Sequence, residues 1–248
     1  MSRDLKYDEF FFRRENRIVS IMDINNNHLY YQNEMFCPDC HRAELSFVSN
    51  TNKTPHLRTK QNSTHTQGCP HNYNVASNKT IIKCFTNLTS EQIENKLNSM
   101  IRYLCVAQHT RNENTSSNNV EHNPMLIKTQ KSQEIKKIQA IKRKSFNIAI
   151  NEKDLACICV FYGKVKLSVE EIIQDKKHYA FLKIFAKNKQ KFNIYIPKHF
   201  IPKDIETDTE YNFVAIGTIK NISEFLKIEL LLGQKYDDKS ISIKYQKC

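Results

Sequence analysis

The chain has 248 residues, a formal net charge of +12 with histidines neutral, and about 40% apolar residues, which excludes a wholly disordered chain. Its four glycines stand far apart, which excludes a dinucleotide fingerprint or a phosphate-binding loop, so we expect no nucleotide cofactor. No run approaches the roughly 18 uncharged apolar residues of a membrane span, and no signal peptide is evident, so we expect a cytoplasmic protein without a membrane partner.

The N-terminal third is predicted to contain two small hairpins. Residues 17–23 and 28–36 are apolar stretches on either side of the turn signal Asn25-Asn26-Asn27, which predicts a hairpin leading into Cys37. Residues 44–49 and 55–59 flank another turn-rich stretch. They predict a second hairpin.

Two short motifs in this region contain candidate metal ligands. Cys37-Pro38-Asp39-Cys40 is a Cys-x-x-Cys knuckle, and Cys69-Pro70-His71 follows it with His56 and His65 in between. A knuckle brings two thiolates together on a tight turn, and zinc needs two further soft or imidazole ligands to complete a tetrahedron. In an intracellular protein such a cluster is more often a metal site than a pair of disulfides.

The predicted zinc ligands are Cys37, Cys40, His65 and Cys69, because the interval between His65 and Cys69 resembles the spacing of known half-sites. His71 is the next choice in place of His65, and His56 is the third. Four protein ligands fill the coordination sphere of a tetrahedral zinc. The sequence also has no motif whose spacing would place a carboxylate, as a general base, beside a zinc-bound water. We therefore expect a structural zinc and no catalytic residue.

The same region resembles a known family. Ile21-Met22-Asp23, an aromatic run into Phe36-Cys37-Pro38, the step Pro55-His56-Leu57, and His65 with Cys69 are together similar to the N-terminal zinc region of CoiA-like competence proteins. The resemblance covers residues 17–72, and it implies a nucleic-acid context. The family's nuclease domain requires an acidic constellation that the rest of this sequence does not match, so the resemblance does not carry nuclease activity over.

Helices are predicted directly after the cluster. Residues 76–87 place apolar residues on one helical stripe, and Thr89 with Gln92 can form the capping box of a second helix. Residues 107–125 are polar and without an apolar period, which predicts a mobile connection. Residues 128–144 are strongly basic and predict a helix that orders on a partner.

The predicted division of the chain is a zinc-binding module with helices at 1–107, a polar and basic linker at 108–143 and a β-domain at 144–248.

The β-domain is predicted to be an OB-like barrel, which makes the whole chain an α+β two-domain protein. Short strands follow one another with little helix between them, and one helical turn is predicted at 197–205. Gly217 lies in a strand where a tightly coiled barrel needs a small residue. The predicted strands are residues 146–150, 155–167, 179–186, 192–196, 211–219, 225–232 and 241–245.

The charge of the β-domain is segregated along the chain. Eight lysines and no acid lie between Asp175 and Asp204, and aromatic residues interleave with them. Single-stranded nucleic acid is held by aromatic side chains that stack on bases and by lysines that follow phosphates. The predicted binding residues are Lys183, Lys187, Lys189, Lys191, Phe181, Phe185 and Tyr195. On the alternation of a strand, Ala180, Leu182, Ile184 and Ala186 form the opposite, interior face.

Five cysteines lie outside the metal motifs. We expect Cys84, Cys105, Cys157 and Cys159 to pack as buried side chains, and Cys248 to be a free exposed thiol.

The metal motifs, the charge and the aromatic residues together favour a non-enzymatic accessory protein that binds single-stranded DNA or RNA, with a structural zinc, in a bacterial replication, defence or mobile-element system. One alternative is a protein-interaction adaptor within a larger complex. The other is a metal-dependent nuclease related to CoiA-like proteins.

Overall fold

The computed structural model describes residues 7–24, 27–50, 53–106, 123–131, 135–148, 150, 154–174, 177–187, 189–221, 226–233 and 238–248. The chain divides into two compact units, Met1–Val75 with Ala107–Ala140, and Ala76–Val106 with Ile141–Cys248. This division differs from the one expected from the sequence, because both helices that follow the Cys/His cluster belong to the second unit. Within the described residues, no helix is long and apolar enough to cross a membrane.

The first unit begins with a three-stranded antiparallel sheet in the order β2-β1-β3. Its elements are β1 (Glu9–Phe12), β2 (Arg17–Ser20), the single helical turn α1 (His28–Tyr31) and β3 (Met35–Phe36). The predicted hairpin between residues 17–23 and 28–36 is wrong, because β1 pairs with both β2 and β3 and separates them. Phe10 and Phe12 are fully buried, as expected for the central strand of the sheet. Residues 25–26 of the predicted turn lie outside the described residues.

The second predicted hairpin is confirmed. β4 (Leu45–Asn50) pairs antiparallel with β5 (Lys53–Thr59), and Phe47 lies opposite Leu57. Leu45 and Leu57 are buried in the same cluster as Phe10 and Phe12, and the cysteines Cys37 and Cys69 complete that cluster. The motifs with the candidate metal ligands thus form part of a small core.

The segment 128–144, where a basic helix was expected, forms most of a separate two-stranded ribbon. β6 (Leu126–Lys131) pairs antiparallel with β7 (Ile135–Ala140). The helix prediction is wrong because the isoleucines and the threonine of this stretch favour strands, and three isoleucines with one alanine do not make a continuous helical stripe. Residues 107–122 of the expected connection lie outside the described residues.

The second unit opens with the two predicted helices, α2 (Asn78–Thr86) and α3 (Ser90–Ile101). The capping box is confirmed: the Thr89 side chain accepts from the Gln92 backbone N–H, and the Gln92 side chain accepts from the Thr89 backbone N–H. The apolar stripe of α3 is buried against β12 (Glu210–Asn221) and β14 (Ile243–Lys247). Lys244 donates to Glu94 at 2.7 Å across this contact.

Five strands of the second unit close into a barrel. They are β9 (Cys159–Gln174), β10 (Lys177–Ala186), β11 (Lys189–Pro197), β12 and β13 (Leu226–Leu230). Their order around the barrel is β9-β10-β11-β13-β12-β9, and only the β11–β13 pair is parallel. Closure depends on the length of β9, whose first half pairs with β12 and whose second half pairs with β10.

Smaller elements extend the barrel. β8 (Lys142–Ser145) pairs parallel with β9, and β14 pairs antiparallel with β12. A short 3-10 helix, Lys198–Phe200, lies between β11 and β12, as the sequence predicts. The predicted strand at 146–150 is wrong, because residues 146–148 form the turn that follows β8.

The predicted alternation of β10 and β11 is confirmed. Ala180, Leu182, Ile184 and Ala186 are all at most 1% exposed and belong to the barrel core, together with Phe192, Ile194 and Ile196 of β11. The intervening residues Phe181, Lys183 and Phe185 are half-buried on the outer face.

Gly217 allows two strands of the barrel to approach closely. It pairs with Leu230 across the β12–β13 ladder, and a Cβ atom at this position would lie 2.1 Å from the carbonyl oxygen of Glu229. The obstructing atom belongs to the backbone and has little freedom to move. The small residue that the sequence suggests for a tightly coiled strand is therefore required here.

We expect Gly217→Val to destabilise the second unit by about 3 kcal/mol or more, because a side chain here forces β12 and β13 apart. Thr218→Val, at the half-exposed next position of the same strand, is the matched control and should change the free energy of unfolding by less than about 1 kcal/mol. Urea unfolding of both variants measures the difference. Equal stability of the two variants would contradict the close approach.

Candidate metal centre and candidate nucleic-acid interface

The Cys37–Cys40 segment forms a tight knuckle. The backbone N–H of Cys37 donates to the carbonyl of Ala43 at 2.7 Å, and the N–H of His41 donates to the carbonyl of Cys37 at 2.9 Å. His41 has a φ of 53°, a left-handed conformation that lets the chain turn back directly after Cys40. These bonds fix both thiols on one side of the turn.

The second half of the centre is the turn from His65 to Cys69. The N–H of Cys69 donates to the carbonyl of Thr66 at 3.1 Å, which closes the turn. Gly68 has a φ of 82°, a conformation that side chains rarely adopt. The glycine directly before Cys69 thus permits the thiol and the imidazole to face the same point.

The four predicted ligands converge, with all donor atoms within 4.8 Å of one another. The Sγ atoms of Cys37 and Cys69 are 3.8 Å apart. The Nδ1 atom of His65 lies 3.5 Å from Sγ of Cys40 and 3.4 Å from Sγ of Cys69. A tetrahedral ion bonded to sulfur at about 2.3 Å and nitrogen at about 2.0 Å separates two sulfurs by about 3.8 Å and a sulfur from a nitrogen by about 3.5 Å. The observed distances fit these edges, so the residues present can hold one metal ion.

His71 lies near the cluster in a different arrangement. Its Nε2 atom is 2.8 Å from the Oδ2 atom of Asp39, and Cys37 completes this second group. A tetrahedral ion would hold an oxygen and a nitrogen ligand about 3.3 Å apart, whereas 2.8 Å is hydrogen-bonding distance. The geometry therefore favours His65 over His71 as the ligand, with His71 paired to the buried Asp39. His56 lies on β5 opposite Val48.

Burial opposes full ionisation of the thiols without a cation. Burial raises the pKa of the Cys37 thiol well above its ordinary value, and hydrogen bonding to Cys37 raises the pKa of Cys69. Hydrogen bonds from Cys37 and Cys69 lower the pKa of Cys40. Without a cation, the Cys37 and Cys69 thiols are therefore harder to ionise than an ordinary thiol. A divalent ion reverses this effect, because thiolates and not thiols are metal ligands.

Tyr7 supports the imidazole from the side away from the sulfurs. Its hydroxyl lies 2.8 Å from Nε2 of His65 and 2.9 Å from Oγ1 of Thr59, and its ring stacks on His71 with centroids 4.4 Å apart. Tyr7 is only 2% exposed, and burial raises its pKa far above the ordinary value. The hydroxyl fixes the orientation in which Nδ1 faces the sulfurs. Sequence reasoning missed Tyr7, because no local pattern connects it to a histidine 58 residues away.

Three aromatic side chains form a cluster on the outer face of the barrel. The ring of Tyr179 lies 5.6 Å from that of Phe181 and 5.3 Å from that of Tyr195, and Phe181 and Tyr195 are 6.4 Å apart. All three are half-buried. We call these three residues the aromatic platform. Tyr179 was not among the predicted binding residues, although its two-residue spacing from Phe181 is visible in the sequence.

The predicted lysines occupy different environments. Lys183 pairs with Glu170 at 3.1 Å on the outer face. Lys191 donates to the carbonyl of Phe146 at 2.9 Å, and burial lowers its pKa. Lys187 and Lys189 are exposed and flank the β10–β11 turn.

Phe185 and Lys227 differ in their relation to the platform. Phe185 lies farther along β10, opposite Lys166 of β9. Lys227 of β13 pairs with Asn193, and its ammonium group lies 5.9 Å from the ring centroid of Tyr195. Sequence reasoning missed Lys227, because only the parallel β11–β13 pairing brings it to the platform.

Two of the four cysteines expected to be buried in the second unit are buried, and the other two are partly exposed. Cys105 and Cys159 are buried, and burial raises the pKa of each thiol to about 12. Cys84 and Cys157 are half-buried, and Cys248 is exposed. A buried thiol with a raised pKa is a poor nucleophile at neutral pH.

No match was found when the chain was compared with models of protein families, with curated proteins and with solved structures.

We expect His65→Ala to lose most of the bound metal, because it removes a donor atom of the cluster. His71→Ala is the matched control and should retain one ion per chain, since Nε2 of His71 lies 2.8 Å from Asp39 and His71 is outside the four-residue cluster. Elemental analysis of the two purified variants measures the metal content. Equal loss in both would mean that His71 is a ligand.

Tyr7→Phe should weaken metal binding by about 10-fold to 100-fold, because the nearer partner of Nε2 on His65 is lost, while Thr59 at 3.3 Å and the donor set are kept. Competition with a chelator of known affinity measures the change. Tyr30→Phe, which removes a hydroxyl bonded to Glu15, is the control in the same unit. An affinity unchanged by Tyr7→Phe would show that the hydroxyl does not orient the imidazole.

Proposed function

We propose that this chain is a nucleic-acid-binding protein whose barrel is an OB-fold that binds single-stranded DNA or RNA across the aromatic platform. Its first unit is stabilised by a structural zinc. The single observation that carries the proposal is the aromatic platform, with lysines beside it, on the second and third strands of the barrel.

The strand order supports the OB assignment. The barrel order is first, second, third, fifth, fourth and back to the first strand, with a parallel contact between the third and fifth. A short helix lies between the third and fourth strands. OB-folds are five-stranded Greek-key barrels that bind oligonucleotides on the face of strands two and three. In this barrel these strands are β10 and β11.

The chemistry of this face supports a single-stranded ligand. The rings of Tyr179, Phe181 and Tyr195 are close enough to form one surface and are partly open to solvent. Unpaired bases expose π-faces that stack on such rings, whereas the bases of a duplex are already stacked. Lys183 and Lys227 lie beside the rings and can contact phosphates.

One acidic residue on this face sharpens the proposal. Glu170 pairs with Lys183 and lies opposite Phe181 in the β9–β10 ladder. A phosphate that binds Lys183 must replace this carboxylate as its partner. The surface ion pair contributes at most about 1 kcal/mol, so a phosphate held by additional contacts can displace it.

Zinc is the metal we propose for the first unit. Three thiolates and one imidazole are a common structural zinc set, and the observed donor distances match a tetrahedron. With all four positions taken by protein ligands, no position is left for a reacting water. The resemblance of residues 17–72 to the zinc region of CoiA-like proteins also implies a nucleic-acid context.

The proposed interface is tested by fluorescence anisotropy with labelled single-stranded oligonucleotides. Phe181→Ala should weaken binding by about 1 to 3 kcal/mol through the loss of one stacked base. Phe200→Ala, a half-buried aromatic of the same unit beyond the end of β11, should leave the affinity within about 3-fold once folding is confirmed. Absence of binding at low salt, or equal loss in the two variants, would overturn the proposal.

Lys227→Gln tests the phosphate contact. It should weaken binding and reduce the slope of log affinity against log salt by about 0.7, as expected for one contact to a single strand. Lys247→Gln, on β14 and paired with Glu206, is the charge-matched control and should leave the slope unchanged. An identical slope for both variants would contradict a phosphate at Lys227.

A further inference from the structure

The β6–β7 ribbon has no role in the proposed function. Within the described part of the chain, its two strands form a separate two-stranded sheet that pairs with no other sheet. The end where β6 begins and β7 finishes is buried, through Leu126, Ile127, Gln139 and Ala140. Next to this end, Lys128 on β6 and Lys137 on β7 are exposed, and Thr129 and Ile138 are half-buried.

The exposed part of the ribbon is basic on both faces. The twelve strand residues include four lysines, no acidic residue and no aromatic residue. Lys128 lies opposite Ile138, and Lys137 lies opposite Thr129. Because cross-strand partners share a face and successive residues alternate, Lys128 and Lys137 lie on opposite faces of the ribbon.

We propose that this ribbon binds double-stranded DNA by inserting edge-on into the major groove, so that the lysine on each face lies against the phosphates of one wall. A two-stranded ribbon fits the major groove of B-form DNA, which is about 12 Å wide. A groove has a phosphate backbone on each side, and the ribbon has an exposed lysine on each face. Lysine contacts to phosphate are independent of base sequence, so binding is expected to be non-specific.

The composition of the ribbon distinguishes duplex DNA from other nucleic acids. The strands carry no aromatic side chain on which an unpaired base can stack, which disfavours a single strand as the ligand. The major groove of A-form RNA is deep and narrow, which disfavours duplex RNA. Charge complementarity and groove width together therefore select duplex DNA.

The buried end of the ribbon is fixed to the segment that follows the metal ligands. The N–H of Ala140 donates to the carbonyl of Asn74 at 2.9 Å, and the side chain of Asn123 donates to the carbonyl of Gly68 at 3.0 Å. Gly68 directly precedes the ligand Cys69. The metal centre thus helps to hold the ribbon in place, which gives a structural metal a part in DNA binding.

The test uses the full chain with the double substitution Lys128→Glu and Lys137→Glu. Anisotropy is measured with duplex DNA, duplex RNA and single-stranded DNA of equal length at two salt concentrations. We expect duplex DNA affinity to fall by at least about 10-fold and the salt slope to fall by about 2, as expected for two phosphate contacts. Single-stranded DNA affinity should change by less than about 3-fold.

The matched control is Lys79→Glu with Lys83→Glu, two exposed lysines on α2 that give the same net charge. It should retain most duplex binding. Equal loss in the two double variants would show that only net charge matters, and equal binding of duplex RNA and DNA would exclude the groove geometry; either result overturns the proposal. Phe181→Ala separates this proposal from the preceding one, since it should weaken single-strand binding and leave duplex binding intact.

Discussion

Four donor atoms from two distant segments meet within 4.8 Å of one another, and the first unit depends on this convergence. Its sheets have three and two strands, and small sheets of this kind are marginal without further support. Two of the cysteines belong to the same buried cluster as the phenylalanines of β1. An ion at this point joins the knuckle, the turn after β5 and, through His65, Tyr7. We propose that metal binding supplies folding free energy that this small hydrophobic core alone does not.

The second unit is held together differently. Its barrel closes because β9 is long enough to pair with two partners, and because Gly217 lets β12 and β13 approach. Neither feature requires a ligand, so this unit is expected to fold without metal. Every second side chain of β10 and β11 is packed in the barrel interior, which holds the two strands rigidly. The side chains between them, including the aromatic platform, are therefore held in fixed positions on the outer face.

Local patterns predicted a large part of this structure. The capping box at Thr89 and Gln92, the alternation along β10 and the spacing of the metal ligands are each encoded within a few residues. Features that depend on distant pairing were not predictable. The central position of β1, the contact of Tyr7 with His65 and the approach of Lys227 to Tyr195 all join remote segments. The β6–β7 ribbon was wrongly predicted to be a helix. A lysine-rich sequence with few apolar residues shows neither a clear helical period nor a clear strand alternation of apolar residues.

The most direct test of the proposal that a metal ion organises the first unit is an X-ray absorption spectrum at the zinc edge of the intact protein, purified without chelators. We expect one zinc per chain, with three sulfur neighbours at about 2.3 Å and one nitrogen neighbour at about 2.0 Å. This shell is the one that Cys37, Cys40, Cys69 and His65 provide. A spectrum without a zinc signal, or one that shows zinc surrounded mainly by oxygen, would contradict the account.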